Sequence, residues 1–234
     1  MNNHETPGPG EGGGGDRRPL RARGLPLWKG MIPLLQRCGV RPNDISAVGL
    51  FAGVAAGVAL GATAYAGCEA SRRALWLAGA LLILFRGACN IMDGVLAVET
   101  GASSHTGYLW NEFPDRMADA AAMIGAGYAA GSEPTAGWAA ALAAVVTAYT
   151  RALVRGAGAP MDYRGPMAKP ARLALLCAVA AYCGLTPATW QPAWGRGSAT
   201  GLMGAALWIV TGGCAATVWR RLRHAAQCLK ESRP

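Results

Sequence analysis

Six long apolar segments occupy most of the sequence between residues 45 and 219 and restrict the folds that the chain can adopt. A helix needs about 20 mostly apolar residues to cross the hydrocarbon of a bilayer. Residues 45–68 and 198–219 meet this requirement without a single charged side chain. The other four segments carry charges mainly towards one end, and they cover residues 74–97, 108–131, 136–154 and 171–187. The sequence therefore predicts an all-α membrane protein with six transmembrane helices.

The composition agrees with a membrane protein. Hydrophobic residues make up 52% of the chain and charged residues only 15%, whereas ordinary soluble domains are about 25% charged. The 33 glycines fit helices that pack backbone to backbone in lipid. The seven cysteines form no CxxC pair and fall mostly within apolar segments, so we interpret them as small buried hydrophobes. They predict neither a disulfide framework nor a metal site.

Both ends of the chain differ from this apolar region. Residues 1–24 are rich in glycine and arginine and are predicted to form a disordered tail. Residues 25–40 mix tryptophan, isoleucine and leucine with lysine and arginine, which predicts an amphipathic helix lying in the membrane interface. A solvated linker is the alternative for that segment. Residues 25–225 would form one membrane domain, followed by a cytoplasmic tail at residues 226–234.

The basic residues predict the orientation. A cytoplasmic N-terminus places 17 of the 22 lysines and arginines on the cytoplasmic side of the predicted helices, and positive charge in short loops favours that side. The net charge of +9 then indicates contact with a membrane surface and with phosphate, not with nucleic acid. We expect an integral membrane protein with its N-terminus on the cytoplasmic side.

Polar residues gather where the second apolar segment ends and the third begins. They are Asn90, Asp93, Asn111, Glu112, Asp115 and Asp119. Ionisable groups in membrane segments are costly, which makes them candidates for a functional site. At about 100° per residue, the first two share one side of their helix and the last four share one quarter of theirs. The ten-residue loop between the segments predicts that the two helices are antiparallel neighbours.

Carboxylates packed in this way repel one another unless a cation lies among them. Ligand sets made only of oxygen suit Mg²⁺, Mn²⁺ or Ca²⁺ better than zinc, and such sets commonly bind metal together with phosphate. Helix capping is the alternative, because acids in a first turn favour the helix dipole. Pro114 gives a second alternative. If the helix starts at Pro114, Asn111 and Glu112 lie in a turn and are not on the same helix face as Asp115 and Asp119.

This arrangement resembles the CDP-alcohol phosphatidyltransferases, whose pattern reads DxxDGxxAR, then eight or nine residues, then GxxxDxxxD. The aligned residues are Asn90, Asp93, Gly94, Ala97, Val98, Gly107, Asn111 and Asp115. The spacing matches throughout, but Asn90 and Asn111 replace two aspartates and Val98 replaces the arginine. The stretch GVRPNDIS, residues 39–46, also resembles the start of the family's first helix. With the six-helix count, the resemblance covers about residues 25–225.

The resemblance implies a transferase of phospholipid biosynthesis that moves a substituted phosphate from CDP-diacylglycerol or another CDP-alcohol to an acceptor alcohol and releases CMP. Family members commonly form homodimers and use two divalent ions, Mg²⁺ or Mn²⁺, held by the aspartates. Carried onto this sequence, Asp93 is a metal ligand and Asp115 is a metal ligand or the base. The nucleotide-binding residues would be Asp93, Gly94, Ala97 and Gly107.

Two acids outside the motif, Glu112 and Asp119, restore the count of four carboxylates that the asparagines reduce. We therefore predict a variant branch with relocated charges, in which Asp115 and Asp119 are the catalytic candidates. The predicted metal ligands are Asn90, Asp93, Asn111, Glu112, Asp115 and Asp119. The predicted phosphate-binding residues are Arg116, Arg151, Arg155, Arg164, Lys169 and Arg172. For the last five of these, ordinary positive charge on the cytoplasmic side is an equal alternative.

Two other classes of function stay open at this point. A non-catalytic relative would bind nucleotide or lipid without performing chemistry. A small cation transporter would use the acids as an ion path, and it predicts acids near the middle of the bilayer. The acids here lie towards one face and beside glycines, which favours a phosphate site over a transport path.

Overall fold

A computed structural model of the protein describes residues 26–101, 105–160, 162, 165–194 and 200–231. The predicted tail at residues 1–24 lies outside the described residues, as does the candidate phosphate ligand Arg164. Side chains are also not described for a few residues within the helices, among them Asn111 and Gly107.

Helices account for almost all of the described chain. Their bounds are α1 (Pro26–Arg37), α2 (Pro42–Ala62), α3 (Glu69–Glu99), α4 (His105–Gly127), α5 (Pro134–Gly156), α6 (Lys169–Leu185) and α7 (Leu202–Glu231). A 3-10 turn, Thr63–Tyr65, follows α2. Two short antiparallel strands, β1 (Ala193–Trp194) and β2 (Thr200–Gly201), lie between α6 and α7. The helical fold class is as predicted, and α2–α7 correspond one for one to the six apolar segments.

Four of these helices are long and apolar enough to cross a membrane, namely α2 with its 3-10 turn, α3, α5 and α7. The other two fall short for different reasons. Helix α6 has 17 residues, which corresponds to about 26 Å at a rise of about 1.5 Å per residue. Helix α4 carries four charged side chains, Glu112, Asp115, Arg116 and Asp119. Six spans therefore stay a prediction, whereas a membrane protein with several apolar helices is what the chain forms.

Helix α1 occupies most of the segment predicted to be an interfacial helix. Its Ile32 is buried in a cluster with Ile45 of α2 and with Met92 and Leu96 of α3, whereas Leu34 is exposed. One face of α1 thus packs on the bundle. Its position relative to a membrane interface stays a prediction.

Glycines determine how α2 and α4 pack. A Cβ added to Gly53 would lie 2.6 Å from the Cβ of Ala118, and one added to Gly57 would overlap the carbonyl oxygen of Ala121. Gly125 is equally close to the backbone of Gly57. We call these five residues the glycine seam. Small residues at four-residue spacing allow the backbones of membrane helices to approach this closely.

The seam adds detail to one prediction from the sequence, that α3 and α4 are antiparallel neighbours. Helix α2 packs extensively against both α3 and α4, and the backbones of α3 and α4 approach each other much less. These two helices meet through side chains, such as Arg86 and Asn90 of α3 and Asp115 of α4. The apolar pattern marks which segments are helices, but it does not say which of them touch.

The bundle has two chemically different ends. At one end lie the start of α2, the end of α3, the start of α4, the end of α5 and the start of α6. We call this the charged end. Fully buried apolar residues such as Leu60, Trp76, Met123 and Leu207 lie nearer the other end, which we call the turn end. The larger apolar cluster thus extends to the turn end, and the buried ion pairs lie at the charged end.

Candidate active site

Asp115 is the hub of the charged end. Its Oδ2 accepts a hydrogen bond of 2.6 Å from Asn90 Nδ2 and is also contacted by Lys169 Nζ. Its Oδ1 lies 3.2 Å from Nη2 of Arg86, and that same nitrogen donates to the Asp115 carbonyl oxygen at 2.9 Å. Three elements, α3, α4 and α6, thus meet at one carboxylate. The structure brings together Asn90 and Asp115, both predicted metal ligands, and Lys169, a predicted phosphate ligand.

Pro114 lies inside α4 and not at its start, because the helix begins at His105. The residues from Glu112 to Asp119 therefore have helical positions, as the shared-face prediction requires. The missing N–H of a proline weakens one turn of the helix. This occurs one residue before the hub of the site.

Asp119 lies one turn deeper and is paired with arginine. Its Oδ1 is 2.7 Å from Arg86 Nη2, and its Oδ2 is 3.8 Å from Arg172 Nη2. The Arg86 side chain is 1% exposed and that of Asp119 is 4% exposed. A buried charge requires a close opposite charge, because its hydration is lost. Arg86 therefore serves as the counter-ion that allows Asp119 to be buried.

Glu112 faces a different set of cations. It forms an ion pair with Arg116, one turn along the same helix, and its Oε1 lies 2.6 Å from Nη2 of Arg151. Its side chain is 29% exposed, which is more than that of the other site acids on α4. Glu112 thus holds α4 to the end of α5 at the rim of the site.

Asp93 lies on the α2 side of the site. Its Oδ2 accepts a hydrogen bond of 2.8 Å from Ser46 Oγ, and the residue is 2% exposed. Asp93 is close enough to Asp115 and Lys169 for their charges to interact with its own. Ser46 belongs to the GVRPNDIS stretch, so this part of the resemblance now has a physical role: it places a hydroxyl on Asp93.

The four carboxylates do not form the single metal-binding group that the sequence predicts. Among the described residues, no three His, Cys, Asp or Glu side chains are placed to hold one metal ion. Glu112 and Asp119 are directed at arginines instead. Five cations form ion pairs with three of the four acids, namely Glu112, Asp115 and Asp119. These cations are Arg86, Arg116, Arg151, Lys169 and Arg172. The repulsion expected among the acids is thus relieved by side chains.

A smaller donor set still fits a hard divalent cation. The carboxylates of Asp93 and Asp115 and the amide oxygen of Asn90 are ligand types that Mg²⁺ and Mn²⁺ accept. Because Lys169 contacts Oδ2 of Asp115, its ammonium group would have to leave that oxygen when a metal ion binds.

The remaining predicted residues are placed as follows. Gly94 and Ala97 lie partly buried on α3, one and four residues beyond Asp93. Arg155 is exposed near the end of α5. The backbones of Gly107 and Asn111 lie in α4, but their side-chain positions are outside what the structure describes. Their predicted roles in nucleotide and metal binding stay predictions.

Two residues that sequence reasoning left without a role belong to the site. Arg86 is an arginine in the middle of an apolar segment, and such charges are functional candidates by default, so its burial was foreseeable. Its pairing with both Asp115 and Asp119 depends on the relative positions of α3 and α4 and was not. Ser46 is signalled only by its place in the resemblance.

Comparison with solved structures identifies the fold. Three crystal structures of Mycobacterium tuberculosis phosphatidylinositol phosphate synthase resemble the chain. The structure with CDP-DAG bound has a TM-score of 0.68 at 20% identity and covers 86% of this chain and 94% of the other. The complex with manganese and citrate has a TM-score of 0.63 at 22% identity, covering 86% and 87%. The apo form has a TM-score of 0.66 at 20% identity, covering 90% and 100%.

No family model matches the sequence, and a comparison with curated proteins finds no significant relative. The similarity to known proteins is thus found in the fold. The resemblance to the CDP-alcohol phosphatidyltransferases, based on spacing and a few residues, is confirmed at the level of the fold.

Proposed function

We propose that the chain is an integral-membrane phosphotransferase that moves a substituted phosphate group from a CDP-linked donor to an alcohol and releases CMP, in phospholipid biosynthesis. The observation that carries this proposal is the meeting of Asp115, Asn90 and Lys169 at the charged end of a fold shared with a phosphatidylinositol phosphate synthase. That synthase has been crystallised with CDP-DAG and, separately, with manganese.

Asp115 is the residue best placed to act as the base. Its carboxylate is 17% exposed and is thus accessible to a substrate, whereas Asp119 is buried against Arg86. In the proposed step the alcohol oxygen bonds to the β-phosphorus of the donor while its proton passes to Asp115. The bond between that phosphorus and the oxygen of CMP breaks, and CMP leaves. Asp119 contributes by holding Arg86 against Asp115, which makes it a positioning residue.

The surrounding cations suit the phosphates of the substrates. Lys169 and Arg172 begin α6, and Arg151 ends α5, so three basic side chains from two helices face the acids. Arginine and lysine are the usual partners of phosphate oxygens. A substrate phosphate that binds here competes with the carboxylates for these cations. We propose that Lys169 moves from Asp115 to a substrate phosphate when the site is loaded.

A divalent ion, Mg²⁺ or Mn²⁺, is part of the proposal. Asp93 and Asp115 would hold it, with the amide oxygen of Asn90 and, by its motif position, Asn111. When bound, such an ion neutralises the charge of a pyrophosphate and favours departure of the leaving group. Arg86 already supplies a buried positive charge beside Asp115, so we propose one ion per chain.

The setting of the enzyme follows from the basic residues and the fold. We propose six membrane spans in the bacterial inner membrane, with the N-terminus and the charged end on the cytoplasmic side, where positive charge is favoured. The resemblance to the family also supports a homodimer.

Release of CMP tests the proposal directly. Purified full-length protein would be incubated with CDP-diacylglycerol, Mn²⁺ or Mg²⁺, and a panel of phosphorylated polyols and amino alcohols, and CMP would be measured by chromatography. We expect CMP only when donor, metal ion and one class of acceptor are all present. CMP release that persists in EDTA would overturn the metal requirement but not the transfer reaction.

One observation favours a second candidate, a non-catalytic relative that binds nucleotide or lipid. The acids of the charged end are already balanced by side chains, and the described residues form no group of three metal-binding acids. Such a protein would bind CDP-diacylglycerol without releasing CMP for any acceptor. Binding without turnover would therefore move this candidate ahead of the enzyme.

A further inference from the structure

An open polar pocket, which we call the cavity, lies at the turn end, remote from the charged end. Its volume is about 520 Å³, and its walls come from the 3-10 turn after α2, the first turn of α3 and the loop between α4 and α5. The residues that matter are Tyr65, Arg72 and Ser132. Arg72 is the one charged side chain among the described residues that line it. Nothing in the proposed transfer reaction uses this cavity.

Two buried polar atoms in the cavity wall have no partner within the described part of the chain. They are Nε of Arg72 and Oγ of Ser132. Buried donors are nearly always hydrogen-bonded, because leaving one unpaired forfeits its interaction with water. Both side chains line one cavity. Their unmet hydrogen bonds therefore point to a ligand with acceptor oxygens.

The neighbouring arginine shows the contrast. Arg73 donates from Nε to the carbonyl oxygen of Gly184 at 2.9 Å and from Nη2 to that of Leu185 at 2.8 Å. Its guanidinium group ties α3 to the end of α6. The two adjacent arginines thus differ in their contacts: Arg73 is hydrogen-bonded to backbone carbonyl groups, and Arg72 lines the cavity.

The loop that forms one wall is fixed in place. The N–H of Ala130 donates to Oγ1 of Thr63 at 2.9 Å, and the N–H of Gly201 donates to the carbonyl oxygen of Gly131 at 2.7 Å. Thr63 is fully buried. A cavity with anchored walls loses little freedom when it binds, which favours affinity.

We propose that this cavity binds the phosphate group of a membrane phospholipid from the leaflet opposite the charged end. A guanidinium group with a nearby hydroxyl recognises a phosphate oxyanion. The cavity lies at the ends of apolar helices, and Tyr65, which is 84% exposed, is of the type that accompanies lipid headgroups. Inorganic phosphate offers the same oxygens, so the test must separate the two sources. The proposal is independent of the transfer reaction.

Lipid retention provides the test. Full-length protein would be purified in detergent, delipidated and titrated with phosphatidylglycerol or with inorganic phosphate, and bound lipid would be counted by native mass spectrometry. For Arg72→Gln we expect the dissociation constant for phosphatidylglycerol to rise about tenfold or more, the range of a lost charge-assisted hydrogen bond. For Ser132→Ala we expect a rise of about two- to tenfold, as for a neutral one.

Arg73→Gln is the matched control, since it removes the same charge one residue away from the cavity, and its dissociation constant should stay within about twofold of the wild type. Helical content and elution volume would confirm that each variant is folded, and Ser132→Ala keeps the test valid if Arg72→Gln is not. Equal loss in Arg73→Gln and Arg72→Gln would overturn the proposal, because the effect would then be general surface charge. Binding of inorganic phosphate without binding of lipid would also overturn it.

Discussion

The glycine seam and the charged end are built on the same helix, α4, by opposite means. In the seam, Gly57 and Gly125 bring two backbones into contact and leave no room for a side chain. At the charged end, Asp115 and Asp119 are each contacted by more than one long cation. The seam therefore permits one packing of α4 on α2, whereas each of these acids at the charged end can pair with more than one cation. A ligand can compete for side chains only in the second region.

The largest effect is expected in the seam. Gly57→Val would drive a branched side chain into the Ala121 carbonyl, and backbone atoms cannot move aside as a side chain does. Overpacking typically costs about 1–3 kcal/mol and occasionally more, and a clash with backbone atoms lies at the upper end of this range. We expect little folded, monodisperse protein by size-exclusion chromatography in detergent. Gly87→Val is the control, since a Cβ at Gly87 meets nothing within 4 Å. Equal stability of the two variants would break the comparison.

Asp115→Asn should have the next largest effect, on activity and not on folding. Loss of a general base reduces turnover by about 10²- to 10⁴-fold, and CMP release measures it. The control is Asp44→Asn, an exposed acid at the same end that caps the start of α2. Turnover by Asp115→Asn at the wild-type rate would remove this residue from the base and metal roles.

The Arg86–Asp119 pair tests whether the charged end tolerates substitution better than the glycine seam. Arg86→Met strands a buried carboxylate, which typically costs about 3–5 kcal/mol, and thermal unfolding would report the loss. Replacing both partners, as in Arg86→Met with Asp119→Leu, should recover much of that stability, because a buried ion pair often exchanges for apolar residues at little cost. A double variant no more stable than Arg86→Met would show that the charged end is as intolerant as the seam.

The smallest effect is expected for Lys169→Gln, and this substitution should strengthen metal binding while it weakens catalysis. Removing the ammonium group from Asp115 should tighten Mn²⁺ binding by about tenfold, or about 1.4 kcal/mol, while CMP release falls because the substrate phosphate loses a partner. Electron paramagnetic resonance of free Mn²⁺ measures the affinity. Arg151→Gln, whose cation faces Glu112, should leave Mn²⁺ affinity nearly unchanged. A merely structural lysine would weaken both quantities together.

The glycine seam and the charged end also differ in how much of each could be predicted from the sequence. The helices, their order and the gathering of Asn90 and Asp115 follow from apolar runs and motif spacing. The packing of α4 on α2 had a signal in the glycines of α2 at four-residue spacing, Gly49, Gly53, Gly57 and Gly61. The sequence carried no signal for which cation meets which acid, because the pairing depends on the relative positions of the helices and on side-chain reach between them, as for Arg86 and Asp119.

Helix α2 also has an entropic consequence for the site. Glycine and alanine have no rotamers to lose, so placing α4 beside α2 incurs no loss of side-chain freedom along the seam. The long cations of the charged end give up about 1.5–2 kcal/mol of rotamer entropy each when they are held. Lys169 or Arg151 regains this rotamer entropy whenever its side chain is released from the acid that holds it. The glycine seam thus keeps α4 in place while the acids at its charged end exchange one cation for another.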